Sequence, residues 1–226
     1  MAELVVALDV GSAAAAERLL DAIPAARWVK VGSVLMGREG PALLARLRSR
    51  GLSIFLDLKW HDIPNTVAGA VSAARDAGVS MATVHAIGGA RMMAAAAAEA
   101  GDLALVGVTV LTSHDAQSYD RALGRTGTEL DMEVVRLARE AIDAGLRGIV
   151  CSPRELAVVR DVIGPGKHLV VPGIRGPGDV VGDQVRTATP AEAVANGATH
   201  LVVGRPIIAS SDPRRAFDEM RRQLER

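Results

Sequence analysis

Aromatic residues are scarce in this chain. Phe, Trp and Tyr make up 2% of its 226 residues, too few for the stacking platforms on which single-stranded nucleic acids are held. There is also no excess of charge of one sign. Lys plus Arg and Asp plus Glu number 26 each, so no surplus of positive charge is available to neutralise a phosphate backbone or to hold an anionic membrane. Neither nucleic acid nor membrane is expected as a partner. A single cysteine, Cys151, rules out an intramolecular disulfide. The opening MAELVVALDV turns acidic too soon for a secretory leader or a membrane span, and with the low cysteine content this points to a soluble, cytoplasmic protein. No His and Cys stand at zinc-binding spacing, and the first apolar run is followed by DVGSAAAAE, which lacks a glycine-rich dinucleotide fingerprint.

What the chain does contain is aliphatic. Apolar residues reach 49%, ample for a sizeable core, and the length suits one domain spanning residues 1–226. Eight short β-branched runs recur along it: LVVALDV, WVKVGS, LSIFLDLK, SMATVHA, LALVGVTVLT, GIVCS, HLVVPGIR and THLVVGRPI. Most are continuously apolar, the pattern of parallel strands buried on both faces. Between them lie alanine- and arginine-rich stretches of helical period. Ser152, Thr189 and Asp212 each precede a proline and are predicted helix caps, while Gly78, Gly101, Gly145 and Gly197 stand where helices should stop. Eight strand–helix units predict an α/β fold, a (β/α)8 or TIM barrel, ahead of an open doubly wound sheet. Ser113–Gly127 and the glycine-rich GIRGPGDVVGDQ are expected to be long loops.

In such a barrel the polar residues at the C-terminal ends of strands converge on one site. Here they are Asp9 closing the first strand, Lys30 in the second, Asp57 and Lys59 at the end of the third, His85 at the fourth, Thr112 at the fifth, Arg175 at the seventh and Arg205 at the eighth. The stretch SIFLDLKWHDIP concentrates three of the charges. Side chains two apart in a strand share a face, so Asp57 and Lys59 point together, with Asp62 just beyond. A lysine beside carboxylates stays an ammonium and suits proton donation better than imine formation. A buried structural salt bridge is the competing reading of the D-x-K-x-x-D spacing taken alone. His61 and His85 read as hydrogen-bonded structural residues, Cys151 as buried filling, and the mixed-sign C-terminal helix as a solvated face.

DLKWHDIPNTV, together with ALDV, VKVG, VHAIGG, VTVLTS, VVPGIR and VVGRPI in order along the chain, resembles the orotidine 5'-monophosphate decarboxylase family in its free-standing bacterial form. The resemblance implies conversion of orotidine 5'-monophosphate to UMP and CO2 without metal or other cofactor. It implies that Lys59 is the proton donor, that Asp57, Asp62 and Lys30 complete a catalytic charge array, and that Asp9 and Lys30 meet the ribose hydroxyls. Thr112 would read the pyrimidine, with Ile63 and Pro172 also against the substrate. Arg175, Gln184, Gly204 and Arg205 would hold the phosphate. Asp62 and Thr66 would reach the neighbouring subunit's site, which implies a homodimer. Two alternatives stay open: a magnesium-dependent sugar-phosphate decarboxylase or aldolase of the same superfamily, against which IPNT and LTS argue, and a catalytically silent nucleotide-phosphate binder.

Overall fold

The structure, a computed structural model, describes residues 2–176 and 187–224. Eight parallel strands, β1 (Glu3–Ala7), β2 (Trp28–Gly32), β3 (Ser53–Trp60), β4 (Met81–His85), β5 (Ala104–Val108), β6 (Gly148–Val150), β7 (His168–Val171) and β8 (His200–Val203), close into a barrel in sequence order, with β8 pairing back onto β1. The apolar runs fill both faces of this sheet. Val5, Ala7, Phe55, Met81, Val106, Val170 and Val202 pack inside the barrel. Val6, Val29, Ile54, Leu105, Leu169 and Leu201 turn outward against the helices. Each fully buried aliphatic side chain contributes about 1.5–3 kcal/mol of transfer free energy, so the continuous apolar runs secure the sheet from both sides.

The outer layer comprises α1 (Ala13–Ala22), α2 (Ser33–Glu39), α3 (Pro41–Ser49), α4 (Pro64–Asp76), α5 (Ala90–Glu99), α6 (Ala116–Leu123), α7 (Leu130–Asp143), α8 (Leu156–Ile163), α9 (Pro190–Ala195), α10 (Arg205–Ile208) and α11 (Pro213–Leu224). The predicted caps are in place. Thr189 Oγ1 accepts from the Glu192 amide and Glu192 accepts from Thr189 in return, Asp212 Oδ1 accepts from the Arg215 amide at 3.0 Å, and the Ser152 amide donates to Glu155 at 2.7 Å. Gly78, Gly101, Gly145 and Gly197 all take positive φ just past helix ends. Arginines then close several of these corners. Arg48 donates to the Ala77 carbonyl, Arg75 to that of Glu99, Arg147 to those of Gly101 and Asp102, and Arg160 to that of Gly197.

Two expectations need correction. Ser113–Gly127 is not a plain loop, because α6 forms within it. Ala116, Tyr119 and Leu123 stand at helical spacing, but over only eight mostly polar residues; Asp115 and Ser118 make a reciprocal cap, Gly124 ends the helix in the left-handed region, and Tyr119 anchors it. The Tyr119 hydroxyl donates to Glu133 of α7 at 3.0 Å, and Arg125 and Arg136 donate to the same carboxylate. The ordered strands also stop sooner than the apolar runs suggest. Asp9, Thr112, Arg175 and Arg205 therefore lie in or just after the loops that follow β1, β5, β7 and β8. Most of the glycine-rich stretch, Gln184 included, falls outside the described residues.

The opposite, N-terminal end of the barrel is shut by a ring cluster. His200 lies 5.0 Å from Trp28 and 5.1 Å from His168, centroid to centroid and edge-on to both, and its Nδ1 sits 2.9 Å from Thr199 Oγ1. Gly148 passes so close to His168 that a Cβ there would fall inside the His168 backbone carbonyl.

Candidate active site

β3 carries the chemistry, and it is not a regular strand where it does so. Phe55 and Leu56 pair with Met81 and Ala82, but the next partner of β4, Val84, pairs with Trp60. The extra β3 residues form a bulge, and within it Lys59 takes φ +53, the only positive φ among the described non-glycine residues. That conformation costs an L-residue roughly 1–2 kcal/mol, so the surroundings must hold it. Thr83, fully buried on β4, accepts the Lys59 amide at 2.8 Å and donates to Asp57 Oδ1 at 3.1 Å.

From this bulge a chain of alternating charges runs along the barrel mouth. Lys59 Nζ lies 2.9 Å from both Asp57 oxygens. Lys30 Nζ lies 3.7 Å from Asp57 Oδ2 and 3.0 Å from Asp9 Oδ1. Gly32 leaves room for the contact, since a Cβ there would come within 3.3 Å of Lys30 Nζ. The Asp57 and Lys30 side chains are only 13% and 12% exposed, whereas Lys59 is 37% exposed at the mouth. Asp57 therefore sits shielded between two ammonium groups, and desolvation makes each contact stronger than in water.

These four side chains form one wall of a cavity of about 310 Å3. Its floor is apolar, made by Phe55, Val108, Val150 and Val170, with Cys151 beside them. Thr112, Pro172, Arg175, Gly204 and Arg205 complete the lining, with Gly204 beside Asp9 at the β8–β1 seam. Arg175 is buried and donates to the Ile174 carbonyl at 2.8 Å, while Arg205 opens α10 and is exposed. The cavity thus has an ammonium–carboxylate wall contributed by β1–β3, an apolar floor, and guanidinium groups following β7 and β8.

Not every predicted site residue joins it. Asp62, Ile63 and Thr66 are exposed and lie outside the cavity lining. Asp62 Oδ1 accepts from its neighbour Ile63 N at 2.6 Å, and among the described residues no ion pair reaches it. Ile63 is 67% exposed, unusual for so apolar a residue. His85 also stays off the lining and packs 5.9 Å from His61. Burial, then the nearby charges of His61 and Lys59, push its imidazole down to about 4, and its Nδ1 is buried without a hydrogen-bond partner among the described residues. Cys151 is buried, as expected of filling. Thr83 is not among the residues predicted from the sequence, although strand alternation from Met81, which packs inside the barrel, puts Thr83 on the same face.

The Orotidine 5'-phosphate decarboxylase / HUMPS family model matches residues 2–220. A protein of Halorhodospira halophila named orotidine 5'-phosphate decarboxylase is 52% identical over 215 residues, covering 93% of this chain and 90% of that protein. A protein of the same name from Moorella thermoacetica is 45% identical over 221 residues, covering 93% and 87%. The crystal structure of orotidine 5'-phosphate decarboxylase from Lactobacillus acidophilus superposes with a TM-score of 0.88 at 33% identity, covering all of both chains. With its closed barrel, its charged wall and its guanidinium groups, this chain belongs to the orotidine 5'-phosphate decarboxylase / HUMPS family.

Proposed function

We propose that this chain is an enzyme that decarboxylates orotidine 5'-monophosphate to UMP and CO2, the last step in making UMP, and that it does so as a one-domain cytoplasmic protein. The observation that carries the reading is the Lys59 ammonium, held 2.9 Å from both oxygens of Asp57 at the wall of a cavity also lined by guanidinium groups. A pyrimidine on the apolar floor would present C6 to Lys59. As the C6–carboxylate bond breaks, its electron pair stays on C6 and CO2 leaves. The ammonium opposes that growing charge and then transfers a proton to C6, becoming an amine that is reprotonated from solvent. This interaction strengthens as charge develops, so it lowers the barrier more than it tightens substrate binding.

The remaining roles are those the family resemblance implies. Asp57 orients Lys59 and borders the departing carboxylate, and Lys30 and Asp9 face the ribose hydroxyls. Thr112 reads the pyrimidine edge, and Pro172 and a neighbouring Ile63 close around it. Arg175, Arg205, the Gly204 backbone and Gln184 take the phosphate; a guanidinium offers it a planar pair of donors. Binding energy gathered at this remote group supports the orientation and desolvation of the reacting end. The exposed Asp62, Ile63 and Thr66 are read as the contribution of each subunit of a homodimer to its partner's site. Both cavity carboxylates hold ammonium groups, and the proposed reaction uses neither metal nor organic cofactor.

The test is to supply orotidine 5'-monophosphate in the presence of excess chelator and follow UMP. Turnover that survives the chelator is expected. Lys59→Ala should lower kcat by about 10,000-fold or more, given the usual size of proton-transfer and charge-stabilising effects, with UMP binding still measurable. Folded wild-type protein that forms no UMP would refute the reading. Turnover only with added magnesium would favour a metal-dependent relative.

A further inference from the structure

We infer that Thr83 is a positioning residue of this site, one hydroxyl that sets both the backbone from which Lys59 projects and the carboxylate to which Lys59 points. The inference rests on the decarboxylase reading above and adds a residue to it.

Where β3 bulges, the ladder between β3 and β4 skips from Leu56–Ala82 to Trp60–Val84. The amides in the gap lose their regular strand partners, and a buried amide without an acceptor costs about 1–3 kcal/mol. The Lys59 amide finds Thr83 Oγ1 at 2.8 Å. A hydroxyl has a single hydrogen. Because Oγ1 accepts from Lys59, that hydrogen remains free for Asp57 Oδ1, 3.1 Å away. Asp57 in turn accepts from Lys59 Nζ at 2.9 Å. The circuit begins on the main chain of Lys59 and returns to its side chain.

Each direction in this circuit is set. The left-handed backbone of Lys59 is unfavourable by itself, and Thr83 supplies the acceptor that the bulged geometry requires. The same hydroxyl fixes one Asp57 oxygen, so the carboxylate cannot swing away from the ammonium. Thr83 has no exposed surface, so no bulk water competes for either bond. It does not line the cavity and would act only through Lys59 and Asp57. Displacing a reacting group by about 1 Å commonly costs on the order of 100-fold in rate.

The test compares wild type with Thr83→Val, Thr83→Ala and Thr83→Ser, measuring kcat, KM, UMP affinity and thermal unfolding for each. Valine keeps the shape and removes both bonds, so kcat should fall by about 10- to 100-fold with KM and UMP affinity changed by less than about threefold. Serine keeps the hydroxyl and should recover most of the lost kcat. Alanine, which removes the hydroxyl without setting a methyl against the Lys59 amide, keeps the question answerable if the valine protein does not fold. It should show the same fall in kcat at unchanged KM. Valine and alanine variants that retain wild-type kcat would overturn the inference, and so would a serine variant as slow as the valine one. A fall in UMP affinity that matches the fall in kcat would also overturn it, since that marks a site collapsed as a whole. Wild type that forms no UMP refutes the decarboxylase reading itself, a result distinct from any of these.

Discussion

Acidification should weaken the barrel through His200 before it reaches the carboxylates. Burial, reinforced by the charge of His168, holds the His200 imidazole at about 4, against 6.5 in an unfolded chain. The folded protein therefore keeps His200 neutral while the unfolded chain takes up a proton. Stability is complete above pH 6.5 and is lost as pH falls from there towards 4. With these two values, His200 alone removes about 2 kcal/mol between pH 7 and pH 5, and about 3 kcal/mol by pH 4. Glu133 does not interfere in that window. Hydrogen bonding from Arg136 holds its carboxyl at about 2, so its contribution is lost only as pH drops below about 4.5. The assay is urea unfolding at pH 7 and pH 5, at one protein concentration, for wild type and His200→Gln. Glutamine retains a polar partner for Thr199 and does not titrate. His85 also titrates low, but it is present in both proteins and cancels in the difference. Wild type should lose about 2 kcal/mol more than the variant between the two pH values. Equal losses would refute the claim that His200 is held neutral in the folded barrel.

Arg205→Ala should lower kcat/KM for orotidine 5'-monophosphate by about 10- to 100-fold through loss of a charge-assisted phosphate contact, with the melting temperature of this exposed position little changed. Steady-state kinetics and a thermal melt check both halves. Mixing Lys59→Ala with Asp62→Ala chains should restore activity that neither has alone, because one intact site per mixed dimer can form. Confirmed subunit exchange without activity would refute the shared site. Gly148→Ala should destabilise by roughly 1–3 kcal/mol or more, since the new methyl has no space against the His168 carbonyl, and denaturant unfolding measures it.

The barrel was legible because its strands are read on both faces at once. Runs such as HLVV at 168–171 and at 200–203 have no polar side to solvate, and the prolines after Ser152, Thr189 and Asp212 mark helix starts by local chemistry alone. α6 was hidden for the opposite reason. Its one buried apolar residue, Tyr119, owes its place to Glu133 on a different helix, and no period within residues 116–123 reports that. α2 begins directly where β2 ends, so no loop composition separates them. At the site, period two correctly placed Asp57 and Lys59 together, but it described a regular strand. The left-handed Lys59 depends on a hydroxyl 24 residues away, a long-range cause that local propensity does not record. Asp62 was expected to serve a neighbouring subunit's lysine, and among the described residues no ion pair reaches it.

The division of the cavity between the two halves of the barrel has an evolutionary consequence. Asp9, Lys30, Asp57, Lys59 and Thr83 all belong to β1–β4 or the loop after β1, whereas Pro172, Arg175, Gly204 and Arg205 follow β7 and β8. The segment that would do the chemistry and the segment that would hold the anion are thus separate inheritable modules. Among the described residues they meet at the β8–β1 seam and where α1 packs against α11. If the second half holds phosphate as proposed, substitutions in the first half could redirect the reaction while that grip is passed on unchanged. New activities on such a barrel can therefore arise within one half at a time.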